Sequence, residues 1–321
     1  MNRYLIVVNP TSGRGNGRRI IPQLQRHLTE LNLSFELVET ERPYHAASLA
    51  QRAVADGLDV VVAVGGDGTA NEVINGLMQS RQNGQGNRTA MGVVAAGRGN
   101  DFAYALDMPP DLAMSCRILA AGRRKRIDIG WVQGGLAPDG RFFGNSAGIG
   151  FDAIVGIEAV KMSPLSGFPS YLAAVFKTML LNYQAPQVEI AYDGQVVRLP
   201  AIMISIMNGQ RQGGAFFMSP QAQNDDGLFD LCIAEHVSRR RILTLLPHFF
   251  KGTQFGQKEI HFGQTGRLEI TATEGVLVGH CDGETISTES TKLILELRPR
   301  QLDVICANGP KLSHETDLPS G

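Results

Sequence analysis

The sequence predicts an α/β domain built on an open parallel sheet, followed from about residue 130 by a mainly β domain. Three observations carry this. Strand-like and helix-like patterns alternate through the first third of the chain, the order that gives parallel strands joined by helical crossovers. Three of those strands end in glycine-rich turns, and parallel topology gathers such turns along one edge of the sheet. Beyond Ile127 the helical period gives way to short β-branched and aromatic runs separated by Gly, Asp and Asn.

In chain order, Tyr4 to Val8 is the first strand, ending in Asn9-Pro10-Thr11-Ser12-Gly13-Arg14-Gly15. Ile20 to Leu31 reads as an amphipathic helix with Ile20, Ile21, Leu24 and Leu28 on one face. Phe35 to Val38 is the next strand, closed by Thr40, and Ala46 to Gly57 the next helix. The run Val60 to Thr69 joins an unbroken β-branched strand, suited to burial on both faces, to Gly65-Gly66-Asp67-Gly68-Thr69. Thr69, Asn71 and Glu72 then open a helix carrying Val73, Ile74, Leu77 and Met78. Gln79 to Arg88 is expected as a polar surface loop. Met91 to Ala95 is a fourth strand, ending in Gly97-Arg98-Gly99-Asn100-Asp101-Phe102, and a helix covers Leu112 to Ala121. The basic run Arg123 to Arg126 reads as a solvated helix end.

The second half is expected to hold strands at Ile127–Val132, Arg141–Ser146, Val188–Tyr192, Val196–Pro200, Ala201–Met207, Leu228–Ala234, Leu268–Ala272 and Leu293–Leu297, with helices at Tyr171–Leu181 and Arg239–Lys251. The expected organisation is an α/β domain over 1–130, a β-rich domain over 131–298 and a C-terminal segment over 299–321. The final residues of that segment either return to the first domain or are disordered.

Composition narrows the function classes. A hydrophobic content of 43% describes a globular chain, and a net charge of −1 makes nucleic acid an unsuitable partner. Four separated cysteines without a CxxC pair argue against a disulfide framework or a zinc site, and point to a reduced cytoplasm. No apolar run is long enough to span a bilayer, so membrane contact is expected to be peripheral and transient.

The GGDGT turn is the centre of the chemistry. Glycines let backbone amides approach a bulky anion, Asp67 points an acid into the same space, and the following helix turns its positive end toward it. The alternative is a tight βα turn in which the glycines serve packing only. Asp282-Gly283-Glu284 reads as a hairpin turn and Asp225-Asp226-Gly227 as a solvated turn when each is taken alone.

Taken together with Asn9-Pro10-x-Ser12-Gly13, Asn100-Asp101-Phe102-Ala103, Asp128-Ile129-Gly130, Gly148-x-Gly150-Phe151-Asp152-Ala153 and Ser219-Pro220, in this order, those segments resemble the soluble bacterial lipid kinases of the diacylglycerol kinase catalytic-domain family, relatives of sphingosine and ceramide kinases. The resemblance runs from about Arg3 to about Ile305. It implies a first domain of the NAD kinase and phosphofructokinase type, a β-sandwich-like second domain, and an ATP site in the cleft between them.

Carried over residue by residue, the resemblance implies that Asn9, Ser12, Thr40, Gly65, Gly66, Asp67, Gly68, Thr69 and Asn71 contact ATP, with Asp67 holding catalytic Mg²⁺. Arg98 stands where the family usually has threonine, and is expected to pair with a phosphate. Asp282, with Glu284 beside it, matches the position proposed as general base on the lipid hydroxyl. Asp226, with Leu228 and Gln223, matches a structural Mg²⁺ position. Asp101, Asp128 and Lys177 match a charged network behind the site. Phe142, Phe143, Phe168, Phe176, Phe216, Phe217, Phe249 and Phe250 either line an apolar groove for a lipid or fill the core.

Three readings follow: an ATP-dependent lipid kinase acting at a membrane surface, a kinase with a soluble acceptor such as NAD, and a non-catalytic lipid- or nucleotide-binding regulator. A homodimer is left open.

Overall fold

The computed structural model describes residues 2–84, 89–161, 173–178 and 185–307. The first half is a parallel sheet in the order β4-β3-β1-β2, made of β1 (Arg3–Val8), β2 (Ser34–Glu39), β3 (Val60–Gly65) and β4 (Ala90–Ala95). All three pairings are parallel, with Ile6 opposite both Leu37 and Val62. β3 is central, and each of its six residues is buried, as its β-branched run requires. Helices α1 (Ser12–Glu30) and α5 (Leu112–Ala121) contribute Leu24, Leu28, Cys116 and Leu119 to one apolar layer. Helices α2 (His45–Ala55), α3 (Asp67–Gln82) and the short α4 (Asp101–Ala105) contribute Leu49, Ile74, Leu77 and Phe102 to the other.

The β-rich half is organised around β9 (Gln195–Met207), a strand with two sets of neighbours. Its first part pairs with β8 (Gln187–Tyr192), and its second with β7 (Ser146–Gly150) and β10 (Phe229–Glu235). The change falls at Pro200 and Ala201: Pro200 opposes Gln187 of β8, while Ala201 opposes Glu235 of β10. Two strands were expected here, divided at the proline. A proline supplies no N–H to the ladder, and it is tolerated where a strand changes partners.

β5 (Arg124–Gly134) pairs with β6 (Ala137–Phe143) and β15 (Lys292–Ile305); β12 (Arg267–Glu274) pairs with β8 and β15. β11 (Ile260–Thr265) flanks β10. β13 (Leu277–Cys281) and β14 (Glu284–Ser290) form the hairpin carrying Asp282-Gly283, and β13 pairs with β7. Helices α6 (Phe151–Lys161), α7 (173–178) and α8 (Arg239–Lys251) lie in this half. No described helix is long and apolar enough to cross a membrane.

Three local expectations are corrected. Gln79 to Gln82 continue α3 rather than forming a loop, with Ser80 buried and its hydroxyl bonded to the Gly76 carbonyl. Arg124 to Arg126 begin β5 instead of ending a helix, because Gly122 stops α5 in the left-handed conformation (φ 63°) and pairing with β15 takes over. Arg141 to Ser146 divides into β6 and β7, since the amides of Gly144 and Asn145 turn toward Asp282. Of the expected helix Tyr171–Leu181, residues 173–178 are described and helical, and the remainder lies outside the described residues.

Candidate active site

The C-terminal ends of β1, β3 and β4 bring their glycine-rich turns together. Gly66 and Gly97 touch backbone to backbone: a Cβ on Gly97 would lie 2.4 Å from the Gly66 Cα, so only glycine fits. The Asn9 amide donates to the Thr69 hydroxyl at 3.1 Å, tying the first turn to the second. Ser12 and Asn16 both reach the Ala96 carbonyl, each at 3.5 Å. Thr40, at the end of β2, joins the same edge through its N–H to the Val8 carbonyl, 2.8 Å. Arg98 is exposed at the rim.

Asp67 opens α3. Its Oδ1 accepts from the Phe102 N–H at 2.9 Å, while Oδ2 lies near Gly99 across from Asp101. A methyl on Gly99 would sit 2.8 Å from Asp67 Oδ2 and 3.3 Å from Asp101 Oδ2. Burial pushes the Asp67 carboxyl up, with Asp282 adding to it, and the Phe102 amide only partly offsets this. Asp101 is pushed up to about 7, by burial first and then by Asp67, against the opposing pull of Arg211. Two carboxylates crowded in a shielded turn offer hard oxygen atoms, a donor set that suits Mg²⁺.

Asp282 is arranged differently. It sits at φ 46° in the β13–β14 turn, buried, and four donors reach its carboxylate: Gly144 N (2.7 Å), Asn71 Nδ2 (2.9 Å), Asn145 N (3.0 Å) and Ser146 N (3.0 Å). A carboxylate has about four lone-pair sites, so its accepting capacity is taken up. Asn71 is equally committed. Its Nδ2 also reaches the Phe142 carbonyl at 2.9 Å, and its Oδ1 accepts from Arg141 Nη2 at 2.7 Å. The residue expected to contact ATP is thus wholly buried, and it clamps the hairpin to α3. The Glu284 carboxylate accepts no hydrogen bond among the described residues, and its Oε1 lies 3.0 Å from where a side chain on Gly68 would begin.

The expected network of Asp101, Asp128 and Lys177 is not brought together. Asp101 pairs with Arg211 Nε at 3.0 Å and accepts from the Gly214 N–H at 3.0 Å. Asp128 is fully buried and holds the backbone amides of Gly227 and Arg300, each at 2.7 Å. Lys177 pairs with Glu158. Arg211 was missed, as a lone cation in a polar turn; its only signal was the neighbouring pair Gly213-Gly214. The guanidinium lies 3.9 Å over the Tyr104 ring, bridging the two halves.

Asp226 caps its own turn through the Leu228 N–H at 3.0 Å, with Gln223 and Leu228 exposed beside it. Asp230, also missed, is pushed up to about 6 by burial and then by Asp226, and its Oδ2 is buried without a hydrogen-bond partner. Among the described residues, no three His, Cys, Asp or Glu side chains converge as a complete metal cluster. Any cation here would need carbonyl or ligand oxygens as well.

A separate, almost wholly apolar cavity of about 80 Å³ lies between α6, α8 and the β9–β10 region. Phe216 and Phe249 line it; Phe250 packs on Phe216 at 4.4 Å between ring centroids, and Phe217 meets Tyr104 edge-on. Phe142 and Phe143 belong to the cores, Phe176 is exposed, and Phe168 lies outside the described residues. Gln212 and Asp152 form the polar part of the cavity wall, 3.0 Å apart. Gln212 Nε2 is 2.7 Å from His280 Nε2, and the other ring nitrogen is 3.3 Å from the Gly283 amide, so the cavity wall connects directly to the hairpin turn.

Comparison with known proteins decides the family. The diacylglycerol kinase catalytic domain matches residues 3–132, and the YegS C-terminal NAD kinase beta sandwich-like domain matches 145–306. This chain belongs to the diacylglycerol kinase family. Among the family's curated members, the diacylglycerol kinase of Staphylococcus aureus strain RF122 is 32% identical over 283 residues, covering 88% of this chain and 86% of that protein. The diacylglycerol kinase of Bacillus subtilis is 28% identical over 294 residues, covering 88% and 90%. A Bacillus anthracis diacylglycerol kinase structure superposes with a TM-score of 0.71 at 21% identity, covering 96% of this chain and 97% of that one. An Archaeoglobus fulgidus NAD kinase in complex with ATP gives 0.51 at 14% identity, over 95% and 93%. These likenesses place the fold with the NAD kinases.

Proposed function

We propose that the protein transfers the γ-phosphoryl group of ATP to a hydroxyl of a lipid acceptor of the diacylglycerol type. Family membership supports the kinase, and the observation that carries the acceptor is the apolar cavity joined through Gln212 and His280 to the DGE hairpin. A soluble acceptor such as NAD would have no use for that lining.

The phosphates would lie on the edge formed by the Asn9, Gly66 and Gly97 turns, where backbone amides and the N-terminus of α3 offset their charge. Asp67, with Asp101 across Gly99, would hold Mg²⁺, which supplies neutralisation of charge on the transferring group. Arg211 keeps Asp101 oriented and partly balanced. Glu284 is the carboxylate free to accept the acceptor's proton, beside the Gly68 turn. Asp282, saturated by four donors, is the clamp that positions it.

The test is direct: labelled ATP and Mg²⁺ with diacylglycerol in mixed micelles, and in parallel with NAD. Label in the lipid extract is the expected result. Label only in NAD, or only in released phosphate, overturns the reading.

A further inference from the structure

Helix α8 has two faces with different chemistry. Inward, Ile242, Leu245, Leu246 and Phe249 form part of the apolar cavity wall. Outward, Arg240, Leu243, Thr244, Pro247 and Lys251 are exposed at the i, i+3, i+4, i+7 and i+11 positions of one stripe, with Leu243 at 41% exposure. No acidic residue occurs in the helix, and its first turn is Arg239-Arg240-Arg241. Cations at that end oppose the helix dipole, an arrangement that helix stability alone does not favour. Arg241 is accounted for, since it pairs with Glu259 at 3.0 Å and bonds Gln257 at 2.7 Å.

Those contacts draw the segment after the helix alongside its first turn. Lys258, exposed between those two partners of Arg241, and Phe255, at 44% exposure and stacked on Phe262, lie on that segment. The two neighbouring carboxylates are already matched, Glu259 to Arg241 and Glu235 to His261. Arg240, Lys251 and Lys258 form no ion pair among the described residues, so the face is positive with exposed apolar side chains between the charges. The whole chain, by contrast, carries a net charge of −1.

We infer that the outer face of α8, with Phe255 and Lys258, docks on an anionic phospholipid surface. Positive side chains draw a protein to such a surface over about a Debye length, and small apolar side chains between them enter the headgroup boundary. The helix that touches the membrane is then also a wall of the cavity. That link rests on the lipid-kinase reading; the docking itself does not.

The test is co-sedimentation of the full chain, without ATP, with vesicles of phosphatidylcholine alone or mixed with phosphatidylglycerol. The parent should bind the mixed vesicles, less so as salt is raised, and Arg240→Glu/Lys251→Glu should lose at least about tenfold in affinity. Leu243→Asp should weaken binding at every salt concentration. Arg26→Glu/Arg117→Glu, the same charge change on α1 and α5, should bind like the parent. Phosphorylation of a short-chain acceptor dispersed without vesicles is read separately, so failure of the kinase reading and failure of docking are distinguishable. Equal loss in both double variants, no preference for anionic vesicles, or a change in sedimentation equilibrium showing that a second copy covers this face would overturn the proposal.

Discussion

The two acidic turns of this protein, Asp67 in GGDGT and Asp282 in DGE, look alike as sequence but differ in what surrounds the carboxylate. Asp67 accepts from the Phe102 amide and faces another acid, and burial outweighs the backbone amides around it, so its ionised form is poorly supported. Asp282 has four donors and no vacant lone pair. On the proposed reading, the under-supported carboxylate is the place for a cation, the saturated one is a clamp, and the neighbouring Glu284 takes the acceptor's proton.

Asp67→Asn breaks the first half of the contrast and has the largest expected effect. Turnover should fall by roughly 10³-fold or more with the loss of a metal-binding charge. The folded protein without nucleotide should nevertheless melt at the same or a higher temperature at pH 8. The sign follows from the upward shifts: between about pH 4 and about pH 7 the native Asp101 carboxyl keeps a proton that the unfolded chain has released, and the upward shift of Asp67 acts in the same direction, so both groups lower stability as pH rises. The gap in melting temperature between parent and variant should therefore close as pH falls toward 4. A variant that melts lower at pH 8 would show that Asp67 is satisfied after all.

Glu284→Gln and Asp282→Asn sharpen the other half. The glutamine should lower kcat by about 10²- to 10⁴-fold without moving the melting temperature. The asparagine turns an amide toward the Gly144 and Asn71 donors and should cost about 2–4 kcal/mol of stability, read by urea denaturation. The reverse pattern would exchange the two roles. Arg211→Met acts at one remove: with its cation gone, Asp101 is pushed further above 7, and the acid limb of the pH–rate profile should move to higher pH. The smallest effect is that of Asp226→Ala, about 0.5–1 kcal/mol for one turn hydrogen bond. The informative readout there is whether Mg²⁺ raises the melting temperature of the parent and not of the variant.

Local pattern carried much of this fold. β3, α5 and α8 lie where β-branching, the Asp111 and Gly122 caps, and the Ile242-Leu245-Phe249 spacing put them. The glycine turns were readable because close backbone approach admits few residue types. What could not be read depends on distant partners. The basic run at Arg124 becomes a strand only because β15 lies beside it, and β9 passes through Pro200 only because its neighbours change there. Asn71 looks like one more polar residue after a phosphate turn, and its commitment to Asp282 and Arg141, far along the chain, is a property of assembly. The Asp101 partner was invisible for the same reason, since Arg211 arrives from the other half.

The last of the described strands, β15, lies beside the first sheet: Val304 pairs with Met91, and Leu302 and Val304 share a core with Val61, Met91 and Ile129. During synthesis the edge of β4 therefore waits, unpaired on that side, until the strands of the β-rich half, β15 included, have left the ribosome. A strand as apolar as Ala90–Ala95 with an open row of amides and carbonyls invites the wrong partner in that interval. Pairing positions this remote also places the slow, entropy-limited step of folding at the end. Yield of native protein from a cell should accordingly depend on chaperone supply and growth temperature more steeply than the finished molecule's stability would suggest.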